Sequence, residues 1–222
     1  FPSRAAPYLV ESAELADKVG DDRLLLLPLF FSTWSIVDRD PAGAVDKLEE
    51  VIHIAREHDV KDVLGHALAY KAIALGRLGR FDESRAMIAE SLEVEKTTPS
   101  QVKRADIHIG VAMALYDMDE IDEGVEHAKL GARLALDARG FECACAGYFS
   151  VGYGKFEQHL IEDALTDLGR SLSLAKQAGF EGYLNMIHGM IAAAEFEKGQ
   201  VNAHDRMRTA LKDARERHDE YA

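Results

Sequence analysis

Two cysteines, five prolines and one tryptophan in 222 residues exclude several kinds of protein at once. Cys143 and Cys145 are the only thiols. Two residues apart on a helix they point about 200° apart, so they cannot bond to each other. A disulfide framework is excluded and a reduced, cytoplasmic setting is expected. An isolated Cys-x-Cys is a weak metal signal, so both read as small buried side chains. Positive charge is also short, with 26 Lys and Arg against 39 Asp and Glu. A net charge of −13 lacks the cations that neutralise phosphate, which argues against nucleic acid and against an anionic membrane surface. The acidic total reads as solubility.

Long apolar runs are missing too. The most apolar stretch, Leu24 to Val37, is 14 residues long and carries Pro28, Ser32, Thr33 and Ser35. It falls short of the ~20 residues that span a bilayer and reads as a buried helix. No secretory leader pattern is present. The chain begins Phe1-Pro2-Ser3, which suggests an excerpt of a longer polypeptide. No apolar–polar alternation reads as a strand. Catalytic signatures are absent: no phosphate-cradling Gly-rich loop, no Gly-x-Ser-x-Gly, no His-Glu-x-x-His. No cofactor is expected and the chain reads as a non-enzyme.

What is present is a period. Ala44, Ser84, Gly124 and Ala164 stand 40 residues apart, with Ala203 one short of the next step. Seven positions on come Val51, Ser91, Gly131 and Ser171, then Ala210; Ala72, Ala112, Gly152 and Ala192 repeat at the same step. Self-similarity at a period of this size signals stacked helical hairpins. Punctuation predicts an all-α chain of eleven helices in a single array. A leading helix over 5–19 is followed by hairpins over 22–58, 61–96, 101–139, 141–178 and 181–218. Asp40 before Pro41, Asp82, Ser100 and Asp122 are the expected N-caps. Gly79, Gly140, Gly179 and Gly199 are the expected left-handed closers. Pro28 means either a kink or a helix that starts later than Asp22. The small residues let backbones approach while Leu48, Leu75, Leu115 and Leu168 interdigitate. A bulky side chain at Ala112 or Gly124 is expected to overpack at ~1–3 kcal/mol.

The stretch Ala72-Ile73-Ala74-Leu75-Gly76-Arg77-Leu78-Gly79-Arg80-Phe81-Asp82-Glu83-Ser84, followed by Ser91-Leu92, resembles the tetratricopeptide repeat. Parts of that frame return over Asp119 to Gly124 and Leu160 to Ala164. The Gly-Phe connectors at Gly140-Phe141 and Gly179-Phe180 resemble the longer repeats of maltose-activator-type regulators, signal-transducing ATPases and multidomain cyclases. The resemblance covers nearly the whole chain and implies a right-handed α-solenoid, with the first helix of each hairpin lining a concave groove. Carried onto this sequence, the groove positions are Tyr70, Ile73 and Arg77, then Ile109, Met113 and Tyr116, then Phe149, Tyr153 and Phe156, then Met190 and Phe196. So apolar a set suits a protein or peptide segment, and the module is expected to regulate an attached or partner signalling domain. A small-molecule effector is the second option. Self-association through the first helix, where Leu9, Leu15 and Val19 form an uncovered stripe, is the third. The last helix, 202–218, reads as a polar cap. Nine histidines are scattered. His66, His108 and His188 fall on first helices, with no shared metal site expected.

Overall fold

The computed structural model describes residues 18–34 and 36–199, together with Tyr8, Glu11, Ser12, Glu14, Leu15, Ala16, Asp205, Arg208, Thr209 and Lys212. It is an all-α solenoid, with no strand among the described residues. A 3-10 turn over Asp22–Leu25 leads into α1 (Leu26–Trp34). Eight helices follow: α2 (Pro41–Glu57), α3 (Lys61–Arg77), α4 (Phe81–Glu95), α5 (Gln101–Tyr116), α6 (Ile121–Asp137), α7 (Phe141–Glu157), α8 (Ile161–Ala178) and α9 (Glu181–Glu197). Pro28 stands third in α1, in the first turn, where a missing N–H costs no helical hydrogen bond. The helix therefore starts after Asp22 and is not kinked, and it ends at Trp34, earlier than the 38 expected. The leading helix 5–19 and the final helix 202–218 fall largely outside the described residues, as do Leu9, Ala203 and Ala210.

One turn, used six times, sets the period. The backbone N–H groups of Val60, Arg80, Glu120, Gly140, Leu160 and Phe180 donate to the carbonyls five residues back, of Ala55, Leu75, Leu115, Ala135, Lys155 and Ala175. Each such bond encloses a left-handed residue: Asp59, Gly79, Asp119, Arg139, His159 and Gly179. This is the Schellman closure, which satisfies a carbonyl that the helix end would leave unpaired. The donor is also the N-cap of the next helix, so one helix and its turn consume twenty residues, and two consume forty. None of these six N-caps makes a side-chain cap. Asp82 and Asp122 are therefore not caps. They sit one residue inside their helices, where their charge faces the helix N-terminus. Gly140 is corrected likewise: its φ is −80°, and the left-handed residue is its neighbour Arg139. Where the turn is replaced, a side chain caps instead: Asp40 accepts from Gly43 N at 2.9 Å and Ser100 from Lys103 N at 3.3 Å.

The small residues lie where the period places them. Ser84 Oγ donates to the Ala72 carbonyl at 2.8 Å. Ser91 Oγ donates to Gly65 O at 2.7 Å and Ser171 Oγ to Cys145 O at 2.8 Å. Gly131 is the same position with no side chain at all: a Cβ there would stand 3.0 Å from Ala105 O. Gly65, Ala105 and Cys145 are themselves 40 apart, so each hairpin closes in one register. Leu48, Leu75, Leu115 and Leu168 fill the space between and are at most 2% exposed. Gly152 and Gly154 belong to the same contacts, their missing Cβ atoms falling on Leu168 and on Tyr116.

Stacking is not uniform. At the tight turns the second helix of a hairpin packs along the next first helix, α2 on α3, α6 on α7 and α8 on α9. Thr97-Thr98-Pro99 breaks this pattern: α4 touches α5 lightly, and α5 instead packs along α3. No described helix is long and apolar enough to cross a membrane.

Candidate functional site: the inner face of the first helices

The first helices α3, α5, α7 and α9 follow one another along the array. Several of the expected groove residues on them keep part of their surface open while packing against the hydrophobic clusters. Tyr70, Arg77, Met113, Tyr153, Phe156 and Met190 are half-buried, and Phe196 is 58% exposed. Three of the expected groove residues lie elsewhere. Ile73, Tyr116 and Phe149 are buried at 5, 8 and 8% exposure. Tyr116 reaches across to donate its hydroxyl to Ser150 O at 2.9 Å, with Gly124 and Gly154 making room for its ring. Phe149 packs edge-on against Tyr183, centroids 6.5 Å apart. Ile109 is half-buried but leans on Gly131 of its own hairpin. These departures have one cause: the free stripe of a helix is narrow, and a shift of one position turns a side chain by about 100° into the core.

Two rows of charge run through this face. Arg77 bridges three repeats: its Nη1 pairs with Asp38, and its Nε lies 3.2 Å from Asp117 Oδ2. That oxygen is buried and accepts no well-aligned hydrogen bond, so attraction to Arg77 is what holds it. Burial raises the Asp117 carboxyl above the ordinary carboxylate range, and Arg77 opposes the rise. Nearer the helix starts, Asp106 Oδ2 stands 3.1 Å from Lys103 Nζ and 3.9 Å from His66 Nδ1. His66 is 5% exposed and lies tilted against Phe30 and edge-on to Tyr70, ring centroids 4.6 and 5.0 Å away. Burial pushes it down to about 4, against the pull of Asp106. The Tyr70 and Tyr153 hydroxyls are raised, chiefly by burial, so both rings stay neutral donors.

A second polar site has no signature in the sequence. His127, on a second helix, brings its Nδ1 to 2.9 Å from His108 Nδ1. Glu95 Oε1 lies 3.9 Å from the far nitrogen of His108 and accepts from Arg104 Nε at 2.5 Å, bracing the loose junction between α4 and α5. His66, His108 and His188 are not brought together; His188 is exposed on α9. No group of three or more His, Cys, Asp or Glu able to hold a metal is found among the described residues. Cys143 and Cys145 are buried free thiols, and burial raises both above the ordinary thiol range.

A stack of like hairpins defines the class: a helical-repeat protein. Comparison with solved structures agrees. The chain is similar to BtubC (BKLC) from P. vanneervenii, with TM-score 0.64 and 16% identity over 97% of this chain and 90% of that one. It is similar to a signal transduction ATPase with numerous domains (STAND) protein with a tetratricopeptide repeat sensor from Pyrococcus horikoshii. There the TM-score is 0.60 and the identity 16%, over 94% of this chain. It is also similar to aspartyl phosphate phosphatase F from Bacillus subtilis, with TM-score 0.66 and 14% identity over 93% of this chain. The match spans 34% of the ATPase chain and 55% of the phosphatase chain. No family model and no curated protein matches the sequence.

Proposed function

We propose that this chain is a tetratricopeptide-type interaction and sensor module, not an enzyme, which holds a polypeptide segment along its inner face and so regulates an attached or partner signalling domain. The observation that carries the reading is that Tyr70, Met113, Tyr153, Phe156 and Met190, on successive first helices, are only half-buried, four of them packing against the core with part of their surface left open. Half-buried aromatic and Met side chains on rigid helices give an adaptable apolar contact at small entropic cost. The similarity to a repeat-containing sensor of a multidomain ATPase supports a regulatory setting. The test uses free-face residues, since Tyr116 and Phe149 are core. Met113→Ala with Tyr153→Ala should cut capture of a partner at least tenfold, with the melting temperature within a few degrees of the parent. Undiminished capture by that variant would sink the reading.

A second reading has its own observation. Leu24, Leu27 and Phe31 in the array's first turns are 50, 53 and 39% exposed, and Leu15 and Val19, earlier in the sequence, are 52 and 68% exposed. A stripe of that kind suits self-association. A molecular mass that rises with concentration in light scattering, and falls back in Leu27→Glu, is the expected result; a constant monomer mass refutes it.

A further inference from the structure

We propose that His108 and His127 hold a single proton between them across the α5–α6 crossing and form an acid-sensitive latch, which stays shut when the pair gains one proton and opens when it gains a second.

The two Nδ1 atoms stand 2.9 Å apart and the ring centroids 5.1 Å apart, with the ring planes 27° from parallel. The centroid distance exceeds the nitrogen distance by the width of a ring, so the two nitrogens face each other head-on. That arrangement suits an N–H donating to a lone pair. A metal ion placed head-on between them would need about 2.0–2.1 Å to each nitrogen, hence about 4 Å in all, and does not fit. Glu95 Oε1, 3.9 Å from His108 Nε2, favours a proton on that nitrogen. His108 Nδ1 is then the acceptor and His127 Nδ1–H the donor, which leaves His127 Nε2 bare. An arriving proton goes to that Nε2, the one ring nitrogen of the pair that is unprotonated and outside the shared bond. The cation so formed keeps the bond and strengthens it, because the donor is now charged. A second proton has only His108 Nδ1 left to take it. Two N–H groups on two cations then point at each other across 2.9 Å, and the contact must part.

The crossing does not need this pair to be filled. Forty residues earlier the same two places hold Leu68 and Met87, which belong to one apolar cluster. Forty residues later they hold Tyr148 and Asp167, linked by Arg170, which donates to Asp167 at 3.0 Å and lies 5.7 Å over the Tyr148 ring. Of these three hairpins, α5–α6 alone sets two titrating rings at the crossing. The charged groups that act on the rings come from three helices: Glu95 of α4, Arg104 of α5 and Glu123 of α6. Glu95 accepts from Arg104 Nε at 2.5 Å, so much of its charge is already compensated. From α3 and α7, the other helices packed on this hairpin, no charged group among the described residues acts on either ring. Asp106 is two residues from His108, about 200° round the helix, and stands by His66 of α3. Burial lowers both rings, His108 to about 4, so the second proton binds only in acid. Because α4 covers α5 lightly, parting the pair loosens the array at a junction that is already loose.

NMR of the full chain with 15N-labelled histidine tests the shared proton. At pH 7 a scalar coupling should appear between the Nδ1 atoms of His108 and His127, carried across the hydrogen bond. It should survive protonation of the first ring and vanish as the second ring gains its proton on titration toward pH 4. Amide exchange tests the opening, in the parent and in His108→Leu with His127→Met, which copies the pair of the preceding hairpin and keeps His66. From pH 6.5 to pH 4, protection in α5 and α6 should fall at least tenfold further in the parent than in this variant. The coupling is read on the parent and does not depend on the variant folding. Absence of the coupling at pH 7 overturns the shared proton. Its loss with the first proton, or an equal fall of protection in the two chains, overturns the latch.

Discussion

His66 shows at the scale of one side chain how place overrides type. Its imidazole is closed in by Phe30, Tyr70 and the helix packing, and burial holds it near 4, where 6.5 is ordinary. His108 is likewise held near 4 by burial and by its neighbour His127. Unfolding returns both to the ordinary value. Between pH 4 and 6.5 the unfolded chain therefore binds more protons than the folded one, and stability rises with pH across that window. The contribution is complete above 6.5 and is lost as pH falls toward 4. Each histidine adds a slope of about 1.4 kcal/mol per pH unit inside the window. Urea midpoints at pH 4.5, 5.5 and 7 should climb, and His66→Gln should flatten the climb without abolishing it, since burial lowers His108 and His127 as well. A midpoint independent of pH would show that the rings are not buried neutral. Both histidines are visible as first-helix residues in the sequence. The partner of His108 is not, because His127 has no periodic relation to it and meets it only through the hairpin crossing.

At the scale of the helix, glycine carries opposite meanings at two sites. Gly147 in α7 packs against the α6 backbone: a Cβ there would lie 2.7 Å from Ala132 Cα and 2.9 Å from its nitrogen. Gly169 in α8 is exposed and has nothing within 4 Å. Gly147→Ala should therefore cost about 1–3 kcal/mol by forcing two helices apart. Gly169→Ala should add about 0.5–1 kcal/mol by removing glycine's backbone entropy from a helix interior. Chemical denaturation of the two variants checks both signs, and equal signs would mean the α6–α7 contact is wrongly placed. The buried ion pair between α7 and α8 belongs to the same scale. Asp167 is 3% exposed and accepts from Lys155 Nζ at 2.6 Å and Arg170 Nη1 at 3.0 Å. Asp167→Ala should cost about 3 kcal/mol, since it leaves Lys155 half-enclosed without its counter-charge. Helix positions were legible because caps, breakers and small residues act locally. Asp82 and Asp122 take no cap role, because the Schellman turn makes Arg80 and Glu120 start the helices and leaves no place for a side-chain cap.

Across the whole molecule each hairpin buries its apolar face against its neighbours alone, so stability is a sum of units and contacts between them. Interior helices are covered from both sides and end helices from one. Amide exchange should accordingly be slowest in α5 to α7 and faster in α1. Uniform protection along the array would contradict a solenoid. The junction of α4 and α5 is the point of departure from regular stacking. Thr97-Thr98-Pro99 replaces the tight turn there, and the Glu95–Arg104 bond and the packing of α5 along α3 carry the connection.

The helical-repeat architecture, the length of its unit and the places where backbones touch are all readable from the order of residues. These follow from a forty-residue recurrence of small side chains and from turn chemistry that acts within a few residues. Packing in three dimensions settles which candidate groove residues are buried, that Arg77 joins Asp38 to Asp117, and that His108 meets His127. The physical reason is angular: a helix turns its side chains by about 100° per residue, so period and composition fix the stripe approximately, while packing of the neighbouring hairpin fixes which edge of it stays open.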